Sequence, residues 1–144
     1  MNRYASIDEF RRRLGGVIFD EIYPGDDGAA DAETDLAAAQ AEIDGSLMRR
    51  YQIPVTGKTS SALVKDWTLT LAEERSYART AGAVYAEKIK SRVELVRQYL
   101  AAIRNDTFSL PDARENIASS GSAGAVSIRS GSTPIFTREK MEGF

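Results

Sequence analysis

The stretch that decides the fold is YAEKIKSRVELVRQYLAAI, residues 85–103 of a 144-residue chain. Its apolar side chains recur at steps of four, four, three, four and three residues, at Tyr85, Ile89, Val93, Val96, Leu100 and Ile103. This spacing places them along one side of an α-helix, close to the seam of a coiled coil. A helix from about residue 83 to Arg104 would be roughly 33 Å long. We therefore expect other long helices to cover its apolar side.

Three further helices are predicted before this one. The first begins at Ser6, which forms a capping box with Glu9, and ends at the glycines 15–16. A second is predicted from about Asp31 to Tyr51 and a third from about residue 60 to Arg79. Their buried positions follow helical spacing, at Phe10 and Leu14, at Leu36, Ala39, Ile43 and Leu47, and at Leu63, Trp67 and Leu71. Residues 17–19 are either extended or a short helical turn.

The pattern changes after Asn105. Residues 119–124 have the composition of a flexible linker, and residues 125–130 alternate apolar and polar side chains as a short strand does. The prediction is an all-α fold, a four-helix bundle with one long C-terminal helix over residues 1–104, followed by an extended C-terminal arm over residues 105–144. The side chains of the arm that we expect to bind a partner are Val126, Ile128, Ile135, Phe136, Arg138, Met141 and Phe144.

The composition excludes several classes of protein. Hydrophobic residues make up 42% of the chain, too many for a disordered protein. The chain contains no histidine and no cysteine, which removes the Ser-His-Asp and Cys-His arrangements and most zinc, copper and haem sites. No apolar run is long enough to cross a membrane, and the first residues lack the layout of a signal peptide. We expect a soluble, non-enzymatic protein without metal or cofactor.

Two local motifs resemble ligand-binding sites, but each is explained better without a ligand. Residues 56–59, TGKT, resemble the end of a phosphate-binding loop, but glutamine stands at position 52, where that loop needs glycine. A solvated loop is the better interpretation. The acidic residues Asp20, Glu21, Asp26, Asp27 and Asp31 lack the alternating ligand spacing of an EF-hand. Loop solubility and helix capping explain them without a calcium ion.

Charge is distributed unevenly along the chain. Residues 1–57 hold six basic and eleven acidic side chains, and residues 58–104 hold nine and five, which gives net charges of −5 and +4. Such polarity suits head-to-tail contact between copies, although chance segregation between helices explains it as well. Lys88, Lys90, Arg92 and Arg97 could also form a basic face that contacts nucleic-acid phosphates, but no groove-reading motif accompanies them. A solvated helix face is the simpler interpretation.

The order of these features resembles the small helical proteins that join head to tail in Mu-like tailed bacteriophages. The most specific element is Ile-Asp-x-x-Leu-x-x-Arg-Tyr-x-x-Pro, residues 43–54, between an acidic loop and the two long helices. The stretch from Tyr4 to Arg11 and the closing segment 135–144 also resemble the family. Coverage is nearly the full chain, and residues 119–132 fit the pattern least.

The resemblance implies a structural virion protein that forms a ring beneath the portal and gives the tail a docking surface. Its partners would be the portal protein, a downstream neck or tail protein and further copies of itself, in a twelvefold ring. DNA would pass through the lumen without specific contacts, and no membrane is involved. The protein would reside in the virion neck, and in the host cytoplasm before assembly.

Two alternatives to the neck adaptor stay open: a head-closure stopper or tail-completion protein, and a helical nucleic-acid-binding regulatory module. Within the adaptor hypothesis, we expect the acidic and basic segments of adjacent copies to meet. The residues predicted for that contact are Asp26, Asp27 and Asp31 on one copy and Lys88, Lys90 and Arg92 on the next.

Overall fold

The computed structural model describes residues 4–80 and 83–116, without the side chains of residues 83–86. Within these ranges the chain forms five α-helices and no strand: α1 (Ile7–Leu14), α2 (Gly16–Ile22), α3 (Gly28–Leu47), α4 (Lys58–Arg79) and α5 (Ala83–Arg104). The all-α prediction is confirmed. The chain divides into two units, one ending at Arg114 and one beginning at Glu115, and of the second only residues 115 and 116 are described.

The structure contains one helix more than the four that the sequence predicts, and the additional helix is α2. Residues 16–22 are helical and bury Phe19 and Ile22, while Val17 faces solvent with 83% of its surface exposed. Gly15 separates α1 from α2 because its φ of +89° lies in a region that residues with a Cβ rarely adopt. Phe19 then packs edge-on against Phe10 of α1, with ring centroids 6.1 Å apart. Seven residues with only two buried apolar positions are too few to show a helical period.

The three long helices run up, down and up. Arg79 at the end of α4 reaches Asp35 near the start of α3, so these two helices are antiparallel. Trp67 in the first half of α4 stacks on Tyr99 near the end of α5, so these two are antiparallel as well. Consequently α3 and α5 are parallel and both pack on α4. The short helices α1 and α2 also contact α4, which makes α4 the central element.

The predicted apolar stripes form the core. Every α3 position of the stripe is at most 2% exposed, and so are Phe10 of α1 and Leu71 of α4. In α5 the buried seam residues are Ile89, Val93, Val96, Leu100 and Ile103. The side chain of Tyr85, the first residue of the predicted seam, lies outside the described part of the structure. Leu63 is only partly buried at the edge of this core.

Ser6 caps α1 as predicted. Its hydroxyl accepts a hydrogen bond from the Glu9 backbone N–H at 3.2 Å, and its own N–H donates to the Glu9 carboxylate at 2.9 Å. The same carboxylate pairs with Lys65 of α4, with 2.6 Å between Oε1 and Nζ. These two contacts hold the pKa of Glu9 below its ordinary value, because both favour the charged form. The capping box therefore also fixes α1 to the central helix.

Candidate partner-binding site

Hydrogen bonds from three parts of the chain meet at the end of α3 and the loop after it. Tyr4 lies beside this loop: its hydroxyl donates to Asp44 Oδ1 at 2.7 Å and accepts from the Val55 N–H at 3.0 Å. Burial raises the pKa of the Tyr4 hydroxyl well above its ordinary range, so it remains a donor. The Ile53–Pro54 peptide bond is cis. The N-terminal segment, α3 and the loop are thereby joined at one hydroxyl.

The segment 105–114, which we call the return segment, packs on this same end of the bundle. Tyr51 is 1% exposed, and its hydroxyl accepts a hydrogen bond from the Leu110 N–H at 2.9 Å. Arg50 donates to the Phe108 carbonyl at 3.1 Å and to Ser109 Oγ at 2.7 Å. The sequence prediction assigned these residues to the arm. In the structure they hold the chain against the body before it leaves the first unit.

Asp112 closes the return segment onto the first turn of α4. Its carboxylate accepts hydrogen bonds from the backbone N–H groups of Thr59, at 2.9 Å, and Ser60, at 2.7 Å. The free N–H groups of a helix N-terminus are the usual place for a phosphate or carboxylate. This is the stretch that resembles a phosphate-binding loop, and a carboxylate of the same chain occupies it. The solvated-loop interpretation therefore missed the internal ligand.

Acid should release the return segment. Hydrogen bonds from Ser60 and Thr59 hold the pKa of Asp112 below its ordinary value of 3.8. The largest contribution comes from the side chain of Ser60, followed by the backbone N–H groups of Thr59 and Ser60. Because the pKa is lower when the segment is docked, the ionised carboxylate stabilises docking fully at pH values above the ordinary pKa. This stabilisation is lost as the pH falls through the lowered pKa. We expect the protection factors of the Leu110 and Gln52 amides, which hold the return segment, to fall below pH ~4. The Asp112→Asn variant should exchange quickly at neutral pH; slow exchange in it would contradict this role.

A cleft of about 470 Å³ opens beside the same loop. Tyr4, Pro54, Val55 and Ala62 supply apolar lining, while Lys58 and Lys65 contribute the cationic groups. Lys65 is already paired with Glu9, whereas Lys58 is exposed and has no ion pair within the described residues. The volume is in the range of clefts that bind small ligands or a few peptide side chains. We call this feature the Tyr4 cleft.

The charge polarity of the sequence is largely satisfied inside one chain. Glu42 of α3 pairs with Arg75 of α4 at 3.3 Å and with Arg97 of α5 at 3.1 Å. Arg97 also forms an ion pair with Glu74, with 2.6 Å between Nη2 and Oε2. The acidic helix α3 therefore faces the basic side chains of α4 and α5 within the same bundle. Arg97, which the sequence places in a basic face, is engaged in these contacts.

Glu73 joins three helices from the centre of the bundle. Its side chain is 4% exposed, and it pairs with Arg13 of α1 at 2.8 Å and Arg92 of α5 at 3.1 Å. Desolvation raises the pKa of Glu73 above its ordinary value, although both arginines oppose this shift. Arg92 was predicted to contact an adjacent copy. Its guanidinium has a partner within the chain.

The other residues of the predicted inter-subunit contact fall into two groups. Asp31 lies 3.7 Å from Arg79 across α3 and α4. Asp26, Asp27, Lys88 and Lys90 are exposed. Asp26 and Asp27 sit before α3, at the end of the bundle opposite the Tyr4 cleft. Asp31 is exposed as well, so another molecule can reach all five residues, although Asp31 already has Arg79 as a partner within the chain.

Asp35 is the buried carboxylate that ties α2 and α4 to α3. It accepts a hydrogen bond from the Tyr23 hydroxyl at 2.6 Å and from two nitrogens of Arg79, at 2.5 and 3.1 Å. The Arg79 guanidinium also lies over the Tyr23 ring, 5.5 Å from its centroid. Arg79 therefore belongs to the internal network of the bundle.

Replacing Asp35 by alanine should lower the free energy of unfolding by about 2 kcal/mol, because the buried Tyr23 hydroxyl would lose its acceptor. Urea unfolding followed by the fluorescence of Trp67, the single tryptophan, would measure the loss. Asp31→Ala is the matched control: this exposed partner of the same arginine should cost less than about 1 kcal/mol. Equal losses of stability in Asp35→Ala and Asp31→Ala would contradict the role of Asp35 as the buried acceptor.

The predicted arm residues all lie outside the described residues: Val126, Ile128, Ile135, Phe136, Arg138, Met141 and Phe144. Their predicted roles stay predictions. Within residues 4–80 and 83–116, no group of three or more acidic side chains is placed to hold a metal ion. In the same part of the chain, no helix has both the length and the apolar character needed to span a bilayer.

The site residues that sequence reasoning missed are Tyr51 and Asp112. Tyr51 and Arg50 belong to the motif that carries the resemblance, but their bonds to residues 108–110 bridge almost sixty positions. Asp112 caps a helix that begins 54 residues earlier. The TGKT stretch was the available signal, because a helix start rich in free N–H groups calls for an anion.

These features define a small all-α protein whose chain returns to cap its own central helix. The family model described as Bacteriophage Mu, Gp36 matches residues 4–128. The chain belongs to this bacteriophage Mu Gp36 family, which makes it a protein of Mu-like phages. No curated protein matches the chain.

Proposed function

We propose that the protein is a head–tail adaptor, a ring in the phage neck that joins the portal of the DNA-filled head to the tail. The observation that carries the proposal is the match to the bacteriophage Mu Gp36 family over residues 4–128. The bundle adds physical support. Ion pairs that link α1, α3, α4 and α5 make a body suited to carrying contacts on several sides.

The expected partners are the portal protein on one side and a downstream neck or tail protein on the other. Further copies of the chain would close the ring, through heterologous contacts repeated by rotation. DNA would pass through the lumen without sequence-specific contacts. The proposed location is the virion neck, with the host cytoplasm as the compartment before assembly, and the proposal includes no enzymatic step.

The internal ion pairs weigh against the nucleic-acid-binding alternative. Arg79, Arg92 and Arg97 bind carboxylates of the same bundle, so their charge is largely neutralised before any phosphate arrives. Lys88 and Lys90 of the proposed basic face are exposed. The absence of salt-sensitive binding to duplex DNA would agree with this interpretation, whereas salt-sensitive binding would favour the nucleic-acid-binding alternative. The all-α body likewise favours an adaptor over a stopper, since stoppers typically rely on β structure.

The test is to mix the purified protein with tailless, DNA-filled heads of the same phage and to image the portal vertex by electron microscopy. Added ring density below the portal is the expected result, and bare portals would overturn the proposal. A variant lacking residues 119–144 tests the arm, because the density should be lost with it. Charge reversal at Lys88 and Lys90 tests the contact between copies; unchanged ring assembly would remove these lysines from it.

A further inference from the structure

The Tyr4 cleft lies where the chain leaves the first unit. Arg114 is the last residue of that unit, and its carbonyl accepts a hydrogen bond from the Gln52 N–H at 2.8 Å, two positions before Pro54 of the cleft. Asp112 binds the first turn of α4, the helix that supplies Lys58 and Ala62 to the cleft. The chain therefore departs beside a cleft that no described side chain fills.

The chain beyond the described residues is long enough to reach another molecule. Twenty-eight residues follow Asn116, and an extended chain of this length spans roughly 95 Å. Within it, residues 133–144 carry four large apolar side chains and two glutamates. In an extended conformation the side chains of Ile135, Glu139 and Met141 share one face, because successive side chains of a strand alternate.

The chemistry of that face matches the cleft. Ile135 and Met141 can cover the apolar surface that Pro54 and Ala62 leave open, since Tyr4 and Val55 are already buried beneath it. Glu139 can pair with Lys58, the exposed lysine that has no ion pair among the described residues. Since Lys65 is occupied by Glu9, one carboxylate is the charge that the cleft still lacks.

We propose that the Tyr4 cleft binds residues 133–144 of a second copy of this chain. Each copy would give its segment to one neighbour and receive a segment from the other, so the contact is heterologous and repeats around a ring. This inference rests on the proposed ring for its choice of a second copy over another partner. The segment is the part of the predicted arm that holds Ile135, Phe136, Arg138, Met141 and Phe144.

The absence of cysteine allows a direct test with full-length protein. One variant carries Ala62→Cys in the cleft and another carries Thr137→Cys in the segment, on the same face as Ile135 and Glu139; the two are mixed and oxidised. Disulfide-linked pairs should form on the order of tenfold faster than with Leu95→Cys, because docking raises the effective concentration of the thiols. Leu95 is 50% exposed on α5 and serves as the matched control.

Charge exchange makes the test specific. Lys58→Glu should reduce the Ala62→Cys cross-link, and adding Glu139→Lys on the second variant should restore it. An acidic residue is favoured in a first turn, and amide exchange at Leu110 checks that Lys58→Glu leaves the neighbouring Asp112 contact intact. Equal rates at Ala62→Cys and Leu95→Cys would overturn the proposal. So would a cross-link that forms only when Ala62→Cys and Thr137→Cys are in one chain, since the segment would then fill its own cleft.

The two hypotheses fail separately. Cross-linking between copies is measured without heads or portals, so bare portals in the electron micrographs would remove the adaptor role and leave the cleft assignment standing. Ring density below the portal without cross-linking at Ala62→Cys would retain the adaptor role and overturn the cleft assignment.

Discussion

Replacing Tyr51 by alanine is expected to lower the free energy of unfolding by about 4 kcal/mol, since truncation of a fully buried aromatic leaves a large cavity. Tyr51 is 1% exposed, and its ring also lies under the Arg50 guanidinium, 5.3 Å from the centroid. The same change removes the acceptor of the Leu110 N–H. The end of α3 and the return segment should therefore loosen together.

Urea unfolding followed by Trp67 fluorescence measures this effect, because Trp67 stacks on Tyr99 and Tyr99 contacts Phe108 of the return segment. Tyr51→Phe separates the two contributions. It keeps the ring and removes only the hydroxyl, so it should cost about 1–3 kcal/mol, the range for a buried donor left without a partner. A Tyr51→Ala loss no larger than that of Tyr51→Phe would show that the ring is not part of the core.

Gly57→Ala should lower the free energy of unfolding by about 3 kcal/mol, the upper end for a residue forced into a conformation that suits only glycine. Gly57 has a φ of +111°, and a Cβ there would lie 2.5 Å from the Asp112 carbonyl oxygen and 2.7 Å from its Cγ. Both contacts are with the residue that caps α4. The substitution should displace the return segment as well as strain the backbone.

A matched glycine gives the opposite sign. Gly45 is exposed within α3, and nothing lies within 4 Å of a Cβ built there. Gly45→Ala should therefore raise the stability by up to about 1 kcal/mol, the usual gain in a helix interior. Both variants are measured by urea unfolding, and amide exchange at Leu110 reports on the return segment. A neutral Gly57→Ala would contradict the close approach of Asp112.

The helices could be predicted from the sequence because their signals are local. The seam from Ile89 to Ile103 repeats at helical spacing, and the Ser6–Glu9 capping box lies within four residues. Short or non-local features could not be predicted in the same way. Helix α2 has two buried apolar side chains, and Asp112 acts on α4 across more than fifty positions. No periodicity links such pairs, so only the folded chain brings them together.

The same distinction between local and non-local signals applies to the candidate site. Arg92 and Asp31, which were predicted to contact an adjacent copy, have partners in the same chain, and the contact between copies stays a prediction. Residues near in sequence reveal which helix carries a charge, but the pairing of charges depends on how the helices pack. The neutralised polarity of the bundle is a tertiary property.

The return segment also sets the route by which a pull on the C-terminal side would enter the body. A force applied beyond Arg114 meets the Asp112 and Leu110 hydrogen bonds before it reaches the end of α5. Those bonds lead into the first turn of α4 and into Tyr51, four residues after the end of α3. A force applied there would therefore load the centre of the bundle before it loads the last turn of α5.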